Sequence, residues 1–343
     1  MGNSNLLNVA LDRFPRVKVA HTPTPLEPMH NLGDDLGLSL WVKRDDCTGL
    51  GFGGNKVRQL EFYLGEAVAG KADTILITGA IQSNFVRTAA AMAGRLNMAC
   101  HIQLEERVPD TSGLYRESGN VLLDHILGAT VHSFPEGENE AGADAALHAI
   151  AEQLRGQGRR PYIIPLGGDH PPLGALGYII AAIELAAQLE TMEPIDEIVL
   201  ASGSAITHVG LLFGLRALGL DIPVRGICVR RDAALQVERV RRRIRDLGEM
   251  MRVPVSFSES DFRVFDGSLA PGYGRLNAKT ISAIERTARR EGFFLDPVYT
   301  GKTMAGLFQL AEAGELAGKR VVFWDTGGAP ALFGYGDQLI GAR

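Results

Sequence analysis

The chain alternates short apolar runs, rich in β-branched residues, with longer stretches in which apolar residues recur every three to four positions. Short apolar runs are typical of buried strands, and the longer period is typical of helices packed by one face. The predicted strands cover residues 40–43, 74–78, 101–104, 130–134, 162–164, 198–201, 226–229 and 321–324. The predicted helices cover residues 82–96, 118–127, 143–153, 175–189, 207–218, 234–247 and 278–290. This alternation predicts an α/β fold whose parallel sheets are covered by helices on both faces.

Length and composition fit a soluble globular protein. With 343 residues, 45% hydrophobic and 22% charged, the chain is long enough for two domains. Its net charge of −5 disfavours non-specific binding to nucleic acid or to an anionic membrane. Cys47, Cys100 and Cys228 are far apart and lack zinc-ligand spacing, which indicates a reducing compartment and no structural metal. Residues 1–13 lack a signal-peptide pattern, and the apolar run 179–187 is too short to span a bilayer, so we expect a cytoplasmic protein.

A run of arginines lies within the predicted helix 234–247. Apolar residues occupy the other side of the same helical period, and acidic residues flank the run. We interpret these arginines as a solvated helix face rather than a nucleic-acid patch. The run consists of Arg239, Arg241, Arg242, Arg243 and Arg245.

The first chemical motif is the glycine-rich segment GLGFGGNK, residues 49–56, which opens an apparent helix. Its last residue, Lys56, stands where the backbone can approach a flat anionic ligand closely. A lysine that acts as a nucleophile needs a desolvated pocket that lowers its pKa. Taken alone, the segment favours a solvated surface lysine that follows a loop. It also contains G-x-G-x-x-G at Gly49, Gly51 and Gly54, but the acidic residue that a dinucleotide site needs after the next strand is missing.

The second motif is Gln82-Ser83-Asn84, which follows the predicted strand 74–78 and opens a long helix. Serine and asparagine are typical N-cap residues, so capping is one interpretation. A helix N-terminus also presents free N–H groups to a carboxylate. The two roles are compatible with each other.

The third motif, SGSAIT, lies between the predicted strand 198–201 and the predicted helix 207–218. Small residues and hydroxyls at a helix start form an anion cradle, although a tight turn is the simpler alternative. The patterns of a serine-hydrolase elbow and of a nucleoside-triphosphate loop are absent. The cradle residues are Ser202, Gly203, Ser204, Ala205, Ile206 and Thr207.

The three motifs together specify a more definite ligand than any one of them. An activated lysine, a monophosphate cradle and a carboxylate cradle indicate an amino acid joined to pyridoxal 5'-phosphate. A nicotinamide dehydrogenase is the alternative enzyme class. A catalytically silent protein that binds the cofactor or an amino acid is the alternative without turnover.

At this level of detail the chain resembles a known family nearly end to end: the pyridoxal-phosphate enzymes of the tryptophan-synthase-β fold type, specifically the group of D-cysteine desulfhydrases and aminocyclopropane-carboxylate deaminases. The resemblance implies two doubly wound parallel-sheet domains. The segments that carry it are TPTPL at 22–26, KRDD at 43–46, GGNK at 53–56, GAIQSN at 79–84, PLGG at 165–168, SGSAITH at 202–208, APGYG at 270–274, LDPVYTGK at 295–302 and TGGAPALF at 326–333.

The resemblance also implies roles for individual residues. Lys56 carries the cofactor as a Schiff base, and the segment Ser202 to Thr207 surrounds its phosphate. Ser83 holds the substrate or helps to deprotonate it. The remaining implied contacts are Asn84 with the ring hydroxyl, Tyr299 over the ring, Thr326 and Gly327 near the pyridine nitrogen, and Gln82, Asn84, Tyr273 and Thr300 with the substrate.

Thr300 bears on the choice of reaction. By resemblance, the deaminases carry an acidic residue after the tyrosine, whereas the desulfhydrases carry a hydroxyl residue, as here. A neutral partner leaves a weaker electron sink, which is adequate when a good leaving group departs from Cβ. We therefore expect a β-elimination that converts D-cysteine to pyruvate, hydrogen sulfide and ammonia. The alternatives are L-cysteate sulfo-lyase activity, which the segment CTG at 47–49 also resembles, and aminocyclopropane-carboxylate deamination.

The chain departs from the family pattern at two positions. Gln59 replaces a lysine that relatives place one turn after the Schiff-base lysine, and Phe85 replaces a polar residue, often histidine. The first change removes a charge near the phosphate, and the second makes the pocket more apolar. The resemblance also implies a homodimer, with a large cofactor-binding domain of residues 1–57 and 171–343 and a small domain of residues 58–170.

Overall fold

The computed structural model describes residues 3–137, 139–165 and 170–341, so positions 166–168 of the PLGG motif lie outside the described residues. Within these ranges the strands are β1 Leu26–Pro28, β2 Ser39–Arg44, β3 Thr74–Ala80, β4 Ala99–Glu105, β5 Thr130–Phe134, β6 Pro161–Ile164, β7 Glu197–Ser202, β8 Val224–Cys228, β9 Arg263–Phe265 and β10 Arg320–Asp325. The α-helices are α1 Asn3–Leu11, α2 His30–Leu36, α3 Asn55–Ala69, α4 Asn84–Arg95, α5 Gly113–Glu117, α6 Asn120–Ile126, α7 Glu140–Gly156, α8 Leu176–Leu189, α9 Ile206–Ala217, α10 Ala233–Met251, α11 Ala278–Glu291, α12 Thr300–Glu312, α13 Ala331–Gly334 and α14 Gly336–Ile340.

Two sheets organise the described part of the chain. The larger sheet has the strand order β1-β2-β10-β7-β8-β9, and the smaller has the order β5-β4-β3-β6. Within the described ranges every strand pair is parallel except β1 with β2, which is antiparallel. The predicted α/β fold with parallel sheets is therefore confirmed, with one antiparallel edge strand added.

The central strands of the larger sheet are buried on both faces. In β10, Val322 and Trp324 pack with α8 and α9, whereas Val321 and Phe323 pack on the opposite face with α12. Side chains alternate between the faces of a strand, so a continuous apolar run is expected wherever helices cover both. The smaller sheet follows the same rule, since every residue of β3 is buried.

The predicted strands all lie within or overlap observed ones, but several elements were not predicted. Strands β1 and β9 have three residues each, too few for an apolar period to be recognised. The predicted helix 118–127 begins two residues late, at Asn120, because Gly119 takes a φ of +60° before α6, and the short helix α5 that precedes it was not predicted. Helices α1, α2 and α12 were also missed, and only the beginning of α3 was noticed.

The smaller sheet draws its strands from residues 74–164, and the larger sheet draws its strands from the segments on either side. We propose on this basis that residues 58–170 form the small domain and that residues 1–57 and 171–343 form the large one. No helix in the described part of the chain combines the length and the apolar character that crossing a bilayer requires.

Candidate active site

A cavity that is partly open to solvent lies at the carboxyl ends of strands from both sheets. The loops that follow parallel strands meet at this edge, which is where α/β folds bind ligands. Residues after β2, β3, β7 and β10 line it. From the predicted site these are Lys56, Ser83, Asn84, Gly203, Ser204, Ala205, Ile206, Thr207, Tyr273, Tyr299, Thr326 and Gly327.

Lys56 lies in the first turn of α3 with its amine buried. Its Nζ donates to Gln59 Oε1 at 3.2 Å and lies 5.0 Å from the ring centroid of Phe85. Among the described residues no carboxylate forms an ion pair with it, and burial lowers its pKa from 10.5 to about 8. A buried amine without a counter-ion is neutral in a substantial fraction of molecules near physiological pH, which is the state a nucleophile requires.

Glycines allow the loop before Lys56 to approach the strand-end segment after β10. Gly54 has a φ of +103°, and a Cβ there would lie 3.0 Å from the carbonyl oxygen of Thr326. The same carbonyl accepts a hydrogen bond from the N–H of Asn55 at 3.0 Å. A side chain at position 54 would therefore push Lys56 away from the cavity.

The N-terminus of α4 presents Ser83 and Asn84 to the cavity. Ser83 is the N-cap, and its Oγ accepts from the N–H groups of Phe85 and Val86 at 3.2 and 3.4 Å. The amide oxygen of Asn84 accepts from Asn120 Nδ2 at 2.9 Å and from Arg87 at 3.5 Å. Because interior donors hold that oxygen, the amide nitrogen is the group that Asn84 can offer to a ligand.

The anion cradle lies where β7 leads into α9. Ala205 adopts a left-handed φ of +72° directly before the helix, which leaves the first helical N–H groups free of helix partners. Thr207 Oγ1 accepts from Asn55 Nδ2 and from Gln59 Nε2, both at 2.9 Å. Since both acceptor positions of this hydroxyl are in use, its O–H is available to donate to an anion.

Tyr273 and Tyr299 form one wall of the cavity. Their hydroxyl groups lie 2.8 Å apart and their rings meet edge to face. Burial, together with the neighbouring Tyr273, raises the pKa of Tyr299 well above its usual value. Tyr299 is therefore neutral at physiological pH, and its hydroxyl can donate or accept hydrogen bonds.

Three of the predicted site residues do not line the cavity. Ser202 Oγ accepts from Gln236 Nε2 at 2.8 Å, and the amide of Gln82 donates to the carbonyls of Tyr115 in α5 and of Ser118 after it. Thr300 Oγ1 donates to Asp296 Oδ1 at 3.0 Å and accepts from the N–H of the same residue. Direct contact of these three side chains with a ligand stays a prediction, and their observed contacts are with the surrounding protein.

The largest part of the site that sequence reasoning missed is a set of five arginines that line the cavity. Two of them, Arg239 and Arg243, belong to the run interpreted as a solvated helix face, and for these two that interpretation was wrong. Two others directly follow the predicted strand 226–229, a position that could have marked them. We name this set the arginine wall: Arg107, Arg230, Arg231, Arg239 and Arg243.

These groups fit pyridoxal phosphate. The start of α9 and the hydroxyl of Thr207 suit a phosphate, and the amide nitrogen of Asn84 suits a ring hydroxyl. Gly328, with a φ of +114°, stands against that amide, and a Cβ there would lie 2.5 Å from Asn84 Nδ2. Lys56 supplies the amine that such an aldehyde needs.

Comparison with known proteins gives the same answer. The family model described as "Pyridoxal-phosphate dependent enzyme" matches residues 17–327. The chain is 40% identical over 331 residues to a protein of Salmonella newport described as D-cysteine desulfhydrase, covering 95% of this chain and 97% of the relative. It is 40% identical over 330 residues to a protein of Klebsiella pneumoniae with the same description, covering 96% and 98%.

Solved structures agree. One described as an ACC deaminase homologue superposes with a TM-score of 0.88 at 36% identity, covering 98% of this chain and 99% of that one. A threonine deaminase from Solanum lycopersicum, at 16% identity, shares the fold with a TM-score of 0.66, covering 99% of this chain and 89% of that one. The predicted cofactor is confirmed, and the chain belongs to the pyridoxal-phosphate dependent enzyme family.

Proposed function

We propose that this enzyme is a carbon–sulfur lyase that converts D-cysteine and water to pyruvate, hydrogen sulfide and ammonia by β-elimination. The observation that carries the proposal is Lys56, a buried amine without a counter-ion that lies between a carboxylate cradle and a phosphate cradle. The 40% identity to proteins described as D-cysteine desulfhydrase supports the choice of substrate.

The cofactor is held by groups already described. The N–H groups at the start of α9 and the hydroxyl of Thr207 would bind its phosphate, and Asn84 Nδ2 would donate to its ring hydroxyl. Thr326 lines the cavity, and the family resemblance assigns it to the ring nitrogen. When bound, the cofactor supplies the electron sink that delocalises negative charge from Cα.

Lys56 and Ser83 act on the substrate. The N–H of Asn84, the first residue of α4, and the hydroxyl of Ser83 would bind the α-carboxylate, which would bring Cα towards Lys56 Nζ. A general base works best when its pKa is close to the operating pH, and a pKa of about 8 meets that condition. Tyr273 and Tyr299 bind the substrate from the other side.

The surroundings of Thr300 favour elimination over ring opening. By resemblance, a deaminase has an acidic residue here, whereas the hydroxyl of Thr300 is hydrogen-bonded to Asp296. Burial raises the pKa of Asp296 to about 6, even though three N–H groups donate to it. This carboxylate caps α12 and positions Tyr299.

The decisive experiment replaces Lys56 by alanine, with Lys18→Ala as the control because Lys18 is an exposed lysine. We expect Lys56→Ala to lose pyruvate formation from D-cysteine and the visible absorption of covalently bound cofactor, whereas Lys18→Ala keeps both. Borohydride reduction followed by peptide mapping should label Lys56 in the unmodified enzyme. Turnover by Lys56→Ala, or a label on another residue, contradicts the proposal.

A substrate panel then settles the reaction. Keto-acid release is measured with D-cysteine, L-cysteine, L-cysteate, β-chloroalanine and aminocyclopropane-carboxylate. Faster release from D-cysteine than from the aminocyclopropane supports elimination at sulfur, and the reverse order contradicts it. No release from any of them, with cofactor bound, would indicate a silent binding protein.

We further propose that the enzyme is a cytoplasmic homodimer. The family resemblance supports the dimer, and the separation of Cys47, Cys100 and Cys228 in the sequence supports a reducing compartment. Light scattering coupled to size-exclusion chromatography tests the first point, since a monomer would contradict it. Fractionation of the source cells tests the second.

A further inference from the structure

Lys302, the last residue of the LDPVYTGK motif, lies on α12 with its side chain fully buried. Its Nζ donates to the backbone carbonyls of Leu269 and Gly272 at 2.7 and 2.5 Å. Within the ranges that the structure describes, no carboxylate forms an ion pair with this amine. Burying an amine is costly unless its donors find acceptors, so the two carbonyls are the contacts that retain Lys302 in the interior.

Lys302 has no direct access to a ligand. Burial lowers its pKa to about 8, as it does for Lys56. The two lysines differ in position, because Lys56 lines the cavity and Lys302 does not. The amine of Lys302 therefore acts on the backbone that it binds, and a second covalent site for the cofactor is not available there.

The carbonyls that Lys302 binds belong to the irregular segment 266–277, which connects β9 to α11 and contains Tyr273. The N–H of Gly272 donates to the carbonyl of Leu269 at 3.0 Å, so residues 269–272 form a tight turn. Lys302 bridges the first and the last carbonyl of this turn. Backbone groups outside helices and sheets need partners from elsewhere, and here a single amine supplies two of them.

Tyr273 is held from both sides along the chain. Gly272, bound by Lys302, directly precedes it, and the carbonyl of Gly274, directly after it, accepts from the hydroxyl of Tyr335 at 2.6 Å. Its own side chain lines the cavity, with its hydroxyl 2.8 Å from that of Tyr299. The position of the Tyr273 hydroxyl therefore depends on contacts that its neighbours make outside the cavity.

One helix start places both tyrosines. Tyr299 directly precedes α12, and Lys302 follows three residues later. Further along the same helix, Gly306 lies against the segment that carries Tyr273, since a Cβ there would stand 3.1 Å from Ser268 Oγ. Helix α12 thus holds Tyr299 through the chain and Tyr273 through the amine of Lys302.

We propose that Lys302 is a positioning residue for substrate turnover: by bridging the turn 269–272 it holds the hydroxyl of Tyr273 beside that of Tyr299 and towards the substrate. This inference rests on the proposed function, because it gives a residue outside the cavity a role in the same reaction. A small displacement of a group that orients the substrate costs much of the rate, so a contact remote from the reacting atoms has a large effect.

The first test replaces Lys302 by methionine, which fills a similar space and has no N–H donor. We expect Lys302→Met to lower kcat/KM for pyruvate formation from D-cysteine at least about tenfold and to leave cofactor affinity and the visible absorption band unchanged. Lys279→Met, at an exposed lysine of α11, should change none of these. Weaker cofactor binding in Lys302→Met would mean that the lysine supports the cofactor side of α12, which overturns the proposal.

A double-mutant cycle with Tyr273→Phe shows whether the lysine acts through the tyrosine hydroxyl. If it does, Lys302→Met should lower kcat/KM much less in the Tyr273→Phe enzyme than in the unmodified enzyme, because the hydroxyl that it positions is already gone. Equal fold losses in both backgrounds overturn the proposal, and so does an unchanged kcat/KM in Tyr273→Phe. If Lys302→Met does not fold, Lys302→Gln, which is one bond shorter than lysine, takes its place in the same cycle.

The placement of Tyr273 is also measured without turnover. The chain has seven tyrosines, and after incorporation of 3-fluorotyrosine the fluorine resonance that is absent from Tyr273→Phe belongs to Tyr273. We expect Lys302→Met to shift or broaden this resonance in the holoenzyme, whereas Lys279→Met leaves it in place. An unmoved Tyr273 resonance in Lys302→Met overturns the proposal.

These outcomes separate the inference from the proposed function. Turnover of D-cysteine with equal losses in both backgrounds of the cycle overturns the role of Lys302 and leaves the lyase activity standing. If D-cysteine releases no keto acid, the lyase proposal fails by itself, and the fluorine resonance of Tyr273 still decides whether Lys302 positions this side chain.

Discussion

Lys43 is fully buried and Lys56 is half-buried, and their surroundings are opposite. Lys43 Nζ donates to the carbonyl of Thr24 at 2.6 Å and to Gln188 Oε1 at 2.8 Å, and it forms an ion pair with Glu184. Among the described residues, Lys56 Nζ has one hydrogen-bond partner, the amide of Gln59, and lies over the ring of Phe85. Burial lowers the pKa of both amines, but at Lys43 the carboxylate of Glu184 counteracts it.

Within one short region, the charged side chains that stabilise the fold differ in their pairing from the lysine that is proposed to react. Arg58, two residues after Lys56, pairs with Asp45 and Glu184 beneath the loop. Burial opposes the charge on Asp45, but Arg58 and hydrogen bonds from Tyr178 and Trp324 outweigh it and lower the pKa of Asp45. The charges that hold the loop are paired, whereas Lys56, which lines the cavity, forms no ion pair with any residue that the structure describes.

The largest expected effect comes from breaking the paired region with Glu184→Gln. Arg58 and Lys43 would lose a buried carboxylate, which costs about 3–5 kcal/mol of the free energy of unfolding. Glu190→Gln, at an exposed position after the same helix, is the control. Urea denaturation measures both, and a loss below about 1 kcal/mol for Glu184→Gln contradicts the assignment.

The stabilisation from Glu184 should also depend on pH. Burial opposes its charge, but Arg58 and Lys43 outweigh this and hold its pKa below 4.5. A carboxylate whose pKa is lower in the folded chain than in the unfolded chain contributes stability at any pH above its unfolded-state pKa. That contribution is lost as the pH falls through its folded-state pKa. The difference in unfolding free energy between the enzyme and Glu184→Gln should therefore shrink in acid.

The next effect concerns the amine without a counter-ion. Capture of cofactor by the apoenzyme should speed up about tenfold per pH unit up to about pH 8 and then level off, because only the neutral amine reacts. Gln59→Glu would give Lys56 a counter-ion as at Lys43, raise its pKa and slow capture at pH 7 about tenfold. Gln153→Glu, at an exposed position, should leave the profile unchanged. An unshifted profile for Gln59→Glu would show that charge pairing does not distinguish the two lysines.

The smallest effect tests the neutral network behind Asn84. Asn120→Ala and Asn120→Asp both remove the Nδ2 donor to Asn84, although the aspartate still accepts from Arg87. Each should weaken cofactor affinity about five- to tenfold, the worth of one neutral hydrogen bond. Fluorescence titration of the apoenzyme measures this, and full affinity in Asn120→Asp would show that the donor is dispensable.

The sequence predicted the parts of the site that lie in continuous loops. Lys56, Ser83, Asn84 and the cradle after β7 follow directly from predicted strands, so their meeting at one sheet edge was foreseeable. The side chain of Ser202 is hydrogen-bonded to Gln236, whereas its neighbour Ala201 lines the cavity, because successive side chains of a strand point in opposite directions. Contact of Ser202 with a phosphate stays a prediction.

The arginine wall was not predictable in the same way. Its members converge from β4, β8 and α10, and no local pattern reports which side of α10 faces the cavity. Thr300 begins α12, a helix that was not predicted, and its hydroxyl is hydrogen-bonded to Asp296 four residues earlier, a contact that only the backbone path decides.

Gln59 has a directional consequence for Lys56. Its amide nitrogen donates to Thr207, which fixes the amide oxygen towards Lys56 Nζ. The neutral amine then donates one N–H to that oxygen, and its nonbonding electron pair points away from Gln59. A lysine at position 59 would add charge but would not accept this N–H, so the glutamine sets the stereoelectronic orientation of the nucleophile.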